Sequence, residues 1–171
     1  MVEKTPYDVV KKIDNIEIRK YPELILATVK DYNDDSGFNS LFNYISGDNT
    51  SQKKISMTAP VITSEKIPMT APVITHNNYM AFVMPSKYDM SNIPKPKNQK
   101  VKIELQPKRT VAVLRFSGYA TNKKTEGKIK QLLETVKNHK LKLKGDPFLM
   151  RYNSPFAPGF IRRNEVGIEL M

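Results

Sequence analysis

The order of predicted secondary-structure elements in the first half of this chain recurs in the second half. Residues 16 to 19 alternate apolar and charged side chains, and after the turn residues YPE an apolar run covers residues 24 to 29. Both segments predict strands that are joined tightly. In the second half, residues 101 to 105 alternate in the same way, Pro107 marks the turn, and residues 110 to 116 form the partner strand.

A helix is predicted after the strand pair in each half. Polar residues 34 to 36 offer an N-cap for the first helix, and Gly47 ends it. Its apolar side chains, spaced i, i+3, i+4 and i+7, are Phe38, Leu41, Phe42 and Ile45. The second helix begins near Thr121 or Asn122. Its apolar side chains have the same spacing and are Ile129, Leu132, Leu133 and Val136.

Further strands complete each half. Residues 79 to 84 read as a strand in the first half, and residues 148 to 152 and 166 to 170 read as strands in the second. Two copies of strand, strand, helix, strand, strand predict an α+β fold with an antiparallel, distorted, barrel-like sheet and two flanking helices. We expect one domain over residues 1–171, with pseudo-twofold halves of about 7–85 and 100–171.

A near-exact decapeptide repeat lies inside the first half. KISMTAPVIT at residues 54 to 63 recurs as KIPMTAPVIT at residues 66 to 75, with nine of ten positions identical. This unit is much shorter than the roughly 20 to 50 residues of solenoid or propeller repeats, so each copy is a strand-sized piece. Pro60 and Pro72 remove a backbone donor and confine these pieces to edges, strand starts or bulges. Irregular strands of this kind often border a ligand site.

Composition narrows the classes of function. The 171 residues contain no cysteine, which excludes disulfides, thiolate catalysis and iron–sulfur clusters. No apolar run approaches the roughly eighteen residues of a membrane span, and the N-terminus lacks the apolar stretch of a signal peptide. We expect a soluble, cytoplasmic protein that is a monomer.

The net charge is +11, from 28 Lys and Arg against 17 Asp and Glu, and it favours anionic partners. The lysines are spread along the chain rather than set among stacking aromatics, and no helix-turn-helix, RRM, KH or zinc-finger pattern occurs. This distribution is typical of a solvated cationic surface and argues against nucleic acid as the partner.

Four motifs carry a resemblance to a known family. Both MTAPV decapeptides, AFVMPSKY at residues 81 to 88, VAVLRFSGYA at 111 to 120 and RYNSPFAPGFIRRNEVGIEL at 151 to 170 resemble the SOUL, or haem-binding protein, family. The match is collinear from about Tyr7 to Leu170. It implies a compact barrel-like domain flanked by two helices, in agreement with the repeated element order. It also implies that haem or a related tetrapyrrole binds noncovalently, without catalysis, in a shallow apolar groove beside the first helix.

A tetrapyrrole needs a flat apolar slot, cations for its propionates and, for iron, an axial ligand. On the resemblance, one wall of the slot comes from the first helix, and the alternative for that apolar stripe is ordinary core. Lys54 and Lys66 open the two decapeptides and are candidate cations. The site residues expected from the resemblance are Phe38, Leu41, Phe42, Tyr44, Ile45, Lys54, Met57, Lys66 and Met69.

Candidate iron ligands are few, because the chain has only two histidines. His76 follows the second decapeptide and either projects toward the groove as an axial ligand or is a solvated turn residue. His139 lies near the end of the second helix, where a structural role is expected. Met57 and Met69 are soft alternatives that otherwise fill core, and Tyr44 offers an axial oxygen.

The motif RRNEV leaves two interpretations open. Arg162 and Arg163 either hold carboxylates of a ligand or pin the C-terminal strand through salt bridges and carbonyl contacts. Haem-binding relatives are expected to have basic residues on the first helix and in the loop before RRNEV. Here the helix offers Asn39, Ser40 and Asn43, and the loop from residue 154 to 160 has none.

Other functions remain as alternatives. The chain could bind a different small apolar or anionic ligand, since one fold hosts many sites. It could also be a small enzyme that uses a groove carboxylate with a raised pKa. No Ser/His/Asp order, HExxH, P-loop or Rossmann fingerprint occurs. The candidate acid–base groups are Glu17, Glu104, Glu165 and Tyr152, with Glu165 expected in a structural charge cluster.

Overall fold

A computed structural model describes residues 2–30, 34–64 and 79–171. The strands are β1 Glu3–Lys4, β2 Asp8–Ile13, β3 Ile16–Tyr21, β4 Leu24–Lys30, β5 Thr58–Ala59, β6 Val61–Ser64, β7 Tyr79–Val83, β8 Lys102–Gln106, β9 Arg109–Ser117, β10 Leu143–Arg151 and β11 Arg163–Leu170. The helices are α1 Asp34–Ile45 and α2 Asn122–Asn138, and a 3-10 turn covers Gly159–Ile161.

Nine of these strands form one curled, antiparallel sheet that makes a half-barrel. Its strand order is β2-β3-β9-β11-β10-β6-β7-β4-β8, and β1 and β5 form a separate parallel pair. The predicted α+β class and the antiparallel barrel-like sheet with two helices are therefore confirmed.

The strand order shows an internal twofold relation. Outward from the central pair of β10 and β6, the order is β11, β9, β3 on one side and β7, β4, β8 on the other. β3 and β4, like β8 and β9, are joined by short turns as predicted, but the two strands of each pair are not hydrogen-bonded to each other. Instead, β3 pairs with β9 and β4 pairs with β8. Each half thus gives one strand to the other half.

Both helices pack on the sheet through the predicted stripes. In α2, Ile129, Leu132 and Val136 are buried, whereas Leu133 is only partly buried. The Thr121 hydroxyl accepts a hydrogen bond from the Lys124 backbone N–H at 3.2 Å, which confirms the predicted start of this helix.

The first helix begins at Asp34, so residues 34 to 36 form its first turn rather than precede it. Gly47 follows the end of this helix with a φ of +122°, in the left-handed region that favours glycine. The predicted stop at Gly47 is confirmed.

The first copy of the decapeptide is broken into two short strands. Pro60 lies between β5 and β6, after a cis Ala59–Pro60 bond, as the predicted confinement of proline to strand ends requires. The second copy, at residues 66 to 75, lies outside the described residues.

Several strands differ from the predicted ones. β2 was not expected, because five of its six residues are exposed and its sequence DVVKKI does not alternate. β10 and β11 begin at Leu143 and Arg163, ahead of the predicted starts. None of the helices within the described ranges is long and apolar enough to cross a membrane.

Candidate functional site

The inner side of α1 is core. Leu41, Tyr44 and Ile45 are 0%, 1% and 4% exposed, and they pack in one cluster with Ala27 of β4 and Phe82 of β7. Three of the five side chains expected on this helix as ligand contacts therefore face the sheet. A ligand on the outer face of α1 would be supported by these residues without touching them.

Tyr44 is held by its hydroxyl group. The hydroxyl donates a hydrogen bond to the Pro94 carbonyl oxygen at 2.5 Å. Burial, together with the nearby Tyr88, raises the pKa of Tyr44 to about 12, so the phenol stays neutral. The oxygen that was a candidate iron ligand is thus directed into the protein.

The outer edge of α1 presents an aromatic pair. Phe38 is partly buried and packs edge-on against Phe82, with ring centroids 5.6 Å apart. Phe42 stacks on Phe38 at 5.9 Å with 13° between the rings, and 47% of Phe42 is exposed. Its exposed neighbours Asn39 and Asn43 are uncharged. This arrangement offers an apolar, uncharged platform to a flat ligand.

The segment after α1 is fixed beside the end of the helix. The Ile55 N–H donates to the Ile45 carbonyl oxygen at 2.7 Å, which holds the start of the decapeptide against α1. Lys54 is exposed there, and Met57 is partly buried against the same core cluster as Leu41. The structure therefore places Phe38 and Met57 against one core cluster, with Phe42 stacked on Phe38 and Lys54 directly before the buried Ile55 in the chain.

Asn49 stabilises the loop that leads to Lys54 through side-chain hydrogen bonds. Its side chain is fully buried and donates hydrogen bonds to the carbonyl oxygens of Tyr44 at 3.1 Å and Lys53 at 2.8 Å. The side-chain Oδ1 of Asn49 accepts hydrogen bonds from the backbone N–H groups of Ser51 and Lys53, both at 3.2 Å. Sequence reasoning missed this residue. The polar string GDNTSQ, typical of an Asx-type turn, was the available signal.

We expect Asn49→Ala to lower the free energy of unfolding by about 2 to 3 kcal/mol, because it leaves buried backbone groups without partners. Urea denaturation measures the difference. The matched control is Asn43→Ala on the exposed face of α1, which should change stability by less than about 0.5 kcal/mol. Equal effects of the two substitutions would show that the loop does not depend on Asn49.

Three expected site residues, Lys66, Met69 and His76, lie outside the described residues. His139 is the C-cap of α2, and its Nε2 lies 3.2 Å from Asp14 Oδ2 on the turn after β2. It therefore has the structural role that was expected. Among the described residues, no group of three or more His, Asp or Glu side chains is arranged to hold a metal ion.

The two arginines of RRNEV make structural contacts near the start of the C-terminal strand β11. Arg162 Nε donates to the Ala157 carbonyl oxygen at 2.7 Å, and its Nη2 donates to the Pro155 carbonyl oxygen. Arg163 Nη2 lies 2.7 Å from Glu165 Oε1. Of the two interpretations of this motif, the structure shows the carbonyl contacts and the salt bridge.

Glu165 is the centre of a buried charge cluster. Its carboxylate receives a bidentate contact from Arg19, whose Nη1 and Nη2 each donate at 2.8 Å, in addition to the contact with Arg163. Tyr7 completes the cluster, because its ring lies 4.0 Å from the Arg19 guanidinium carbon and its hydroxyl accepts from Arg163. Glu165 is 0% exposed and Arg19 is 2% exposed.

The pKa of Glu165 argues against a role as general acid at neutral pH. Burial alone would raise it, but the hydrogen bonds and charges of Arg19 and then Arg163 outweigh burial and hold the pKa below its ordinary value. A general acid at neutral pH requires the opposite shift.

The other candidate carboxylates, Glu17 and Glu104, lie in ion pairs with Arg19 and Lys30, respectively. Burial, as the largest effect, raises the pKa of Tyr152 and keeps it neutral.

Comparison with known proteins agrees with the fold and the motifs. A family model described as SOUL heme-binding protein matches residues 2–169. Heme-binding protein 2 of Mus musculus is 29% identical over 170 residues, which cover 95% of this chain and 82% of the mouse protein.

Solved structures show the same fold at low identity. The EcmrR C-terminal domain is similar with a TM-score of 0.63 and 13% identity, covering 96% of this chain and 98% of that domain. A hydrolase from Listeria innocua gives a TM-score of 0.63 at 10% identity, covering 95% and 94% of the two chains. Likeness at these identities concerns the fold alone, since one fold hosts many functions.

Proposed function

Because this chain belongs to the SOUL haem-binding protein family, we propose that it binds haem or a related tetrapyrrole noncovalently, with one face of the macrocycle against Phe42 on α1. The observation that supports this most directly is the Phe38–Phe42 pair, of which Phe42 is 47% exposed beside uncharged neighbours. A large flat apolar ligand gains from covering such a ring. The protein would act as a carrier, buffer or sensor rather than as a catalyst.

The chemistry of the surroundings fits a ligand with carboxylates. Lys54 is exposed beside the C-terminal end of α1 and would pair with a propionate. Met57, partly buried next to that segment, would contact the macrocycle through a soft sulfur atom. Leu41, Tyr44 and Ile45 would support the platform from below. Lys66, Met69 and His76 remain proposed contributors from the second decapeptide.

A second candidate ligand is a flat apolar anion without iron. The candidate ligand Tyr44 is engaged elsewhere, since its hydroxyl donates to Pro94, and the second histidine of the chain, His139, contacts Asp14. Within the described ranges this leaves Met57 as the candidate for coordination. A site built in this way would hold metal-free porphyrin about as well as hemin.

We expect Phe42→Asp to weaken hemin affinity by about tenfold or more, because roughly half of a phenylalanine burial is lost and a charge faces the macrocycle. An absorbance titration of the Soret band and calorimetry at high salt measure the affinity. High salt screens nonspecific attraction to a protein of net charge +11.

The matched control is Gln131→Asp, which places the same charge on an exposed residue of the other helix, α2. It should retain saturation at one equivalent and an affinity within a factor of about two of the parent protein. If both variants bind hemin equally well, Phe42 is not part of the site. Running metal-free protoporphyrin in parallel separates the two ligands, since a clear preference for hemin requires an axial ligand.

A further inference from the structure

A cavity distinct from the platform on α1 lies between the N-terminal segment, the start of β4 and the end of β7. Its volume is about 450 Å³, within the roughly 300 to 1,000 Å³ range typical of small-molecule sites. Its apolar walls come from strands of the main sheet and the segment that follows β7. They include Leu24, Ile25, Val83, Met84 and Leu105.

The charge of this cavity is opposite to that of the protein. Glu3, Glu23 and Asp89 line it, and among the described residues no Lys, Arg or His does. The whole chain carries a net charge of +11. A local group of carboxylates in a basic protein attracts cations while the rest of the surface repels them. The lining is therefore complementary to a positively charged ligand.

Backbone contacts hold two of these carboxylates in place. Glu3 Oε1 accepts a hydrogen bond from the Ser86 N–H at 3.0 Å. Asp89 Oδ1 accepts from the N–H groups of Ser91 at 2.8 Å and Asn92 at 3.1 Å. The hydrogen bonds from Ser91, first through its side chain and then through its backbone, lower the pKa of Asp89. Asp89 is therefore ionised at neutral pH.

A buried hydroxyl on the same wall points independently to a ligand. Thr58 pairs with Glu3 in the register of β1 and β5 and lines the cavity. It is 3% exposed, and its Oγ1 has no hydrogen-bond partner among the described residues. An unpaired buried hydroxyl is costly, and a ligand that donates a hydrogen bond would relieve that cost.

A lysine side chain already lies over the ring of Tyr88, the aromatic residue that lines the cavity. Tyr88 is partly buried at the cavity edge, and Lys87 Nζ lies 5.1 Å from the centroid of its ring. The charge of a ligand is therefore better placed at the carboxylates than over this ring. A donor N–H suits both the carboxylates and the Thr58 hydroxyl, whereas a quaternary ammonium ion has no proton to donate.

We propose that this cavity binds an organic ammonium ion, namely a protonated amine that carries an apolar body. The apolar body lies against Leu24, Val83 and Leu105, and the N–H groups face the carboxylates. The site is separate from the platform on α1 and does not depend on tetrapyrrole binding.

Three probes with one apolar body test the proposal by calorimetry: 4-phenylbutylamine, 4-phenylbutanol and 4-phenylbutyrate. They are cationic, neutral and anionic at neutral pH. We expect saturable binding of the amine at one equivalent, and at least about fivefold weaker binding of the alcohol and the acid, since each loses the charge complementarity. Absence of saturable amine binding, or equal binding of the three probes, would overturn the proposal.

A pair of double variants locates the site. Glu23→Gln with Asp89→Asn removes two carboxylates from the cavity at exposed positions and should weaken amine binding by about fivefold. The matched control, Glu126→Gln with Glu134→Gln, removes two exposed carboxylates from α2 and should leave amine binding unchanged. Equal effects of the two double variants would place the amine elsewhere. Hemin titration of the cavity variant should match the parent protein, which confirms that the two sites are distinct.

Discussion

Glu165→Ala should lower the free energy of unfolding by about 3 to 5 kcal/mol, the loss typical of removing one partner from a buried ion pair. Glu165 is fully buried, and Arg19 beside it is 2% exposed. The substitution leaves the Arg19 guanidinium buried without the two 2.8 Å contacts that neutralise it. Urea denaturation followed by circular dichroism measures the change.

Glu17→Gln is the matched control for this prediction. Glu17 also contacts Arg19, at 2.8 Å from Nε, but its side chain is 31% exposed. Because water screens this second pair, its loss should cost less than about 1 kcal/mol. Replacing both partners, in Arg19→Met with Glu165→Leu, should recover part of the loss, since the buried Arg19 charge is then gone and only the partly exposed Arg163 loses its carboxylate partner. If Glu165→Ala costs no more than Glu17→Gln, the cluster does not stabilise the fold.

The same cluster predicts a dependence on pH. The pKa of Glu165 in the folded protein is lower than its ordinary value of 4.5. Its contribution to stability is therefore complete above the ordinary value and is lost as the pH falls through the folded value. The difference in unfolding free energy between the parent protein and Glu165→Gln should shrink below pH 4.5. A constant difference down to strongly acidic pH would contradict the buried pair.

Leu132→Ala is the second large effect, with an expected loss of about 3 kcal/mol in the free energy of unfolding. Leu132 is 0% exposed and packs between α2 and the sheet, in the cluster that contains Leu114 and Ile168. Removing it takes apolar surface out of contact and leaves a cavity that the sheet cannot fill. The urea midpoint should fall while the slope of the transition stays the same.

Its control is the next residue of the same helix. Leu133 is only partly buried, so Leu133→Ala should cost less than half as much as Leu132→Ala. Both substitutions have the same helix propensity change, and the comparison therefore isolates burial. Equal losses would mean that the two leucines share the interface equally, contrary to the structure.

Local patterns predicted the elements well. The spacing of apolar residues located both helices, and Gly47 and Thr121 marked a helix end and a helix start, because such signals lie within a few residues of chain. Alternation located β3 and β8, and the turn at Pro107 followed by residues 110 to 116 located β9. The repeated order of these elements was enough to predict the class of fold.

Contacts between residues that are distant in the chain could not be predicted from the sequence. The pairing of β3 with β9 is decided by the closure of the whole sheet, whereas the turn at Pro22 indicated only that β3 and β4 are joined tightly. The contact of Arg19 with Glu165 depends on that same pairing, since β9 lies between their strands. β2 was not predicted, because an exposed edge strand has too few buried apolar residues to give an alternating pattern.

The proposed ligand site shows the same limit. The apolar spacing in α1 predicted one apolar face of the helix. The same spacing is found whether that face packs in the core or lines a ligand pocket, so it does not distinguish the two. Leu41 and Ile45 lie on the sheet, and Phe42 lies at the edge of the stripe with half its surface exposed. The role of Asn49 arises from three contacts within its own loop and one with the Tyr44 carbonyl oxygen of α1, which composition alone does not reveal.

The exchange of strands between the halves also determines the order in which strands can pair while the chain is being synthesised. When the first half has been synthesised, β3 and β4 each have one neighbour available, β2 and β7, and each keeps an open edge. Those edges close only after β8 and β9 have left the exit tunnel. Non-local pairing of this kind slows folding, and open strand edges invite association of nascent chains. The interval between the two halves is therefore when the growing polypeptide most needs chaperone protection.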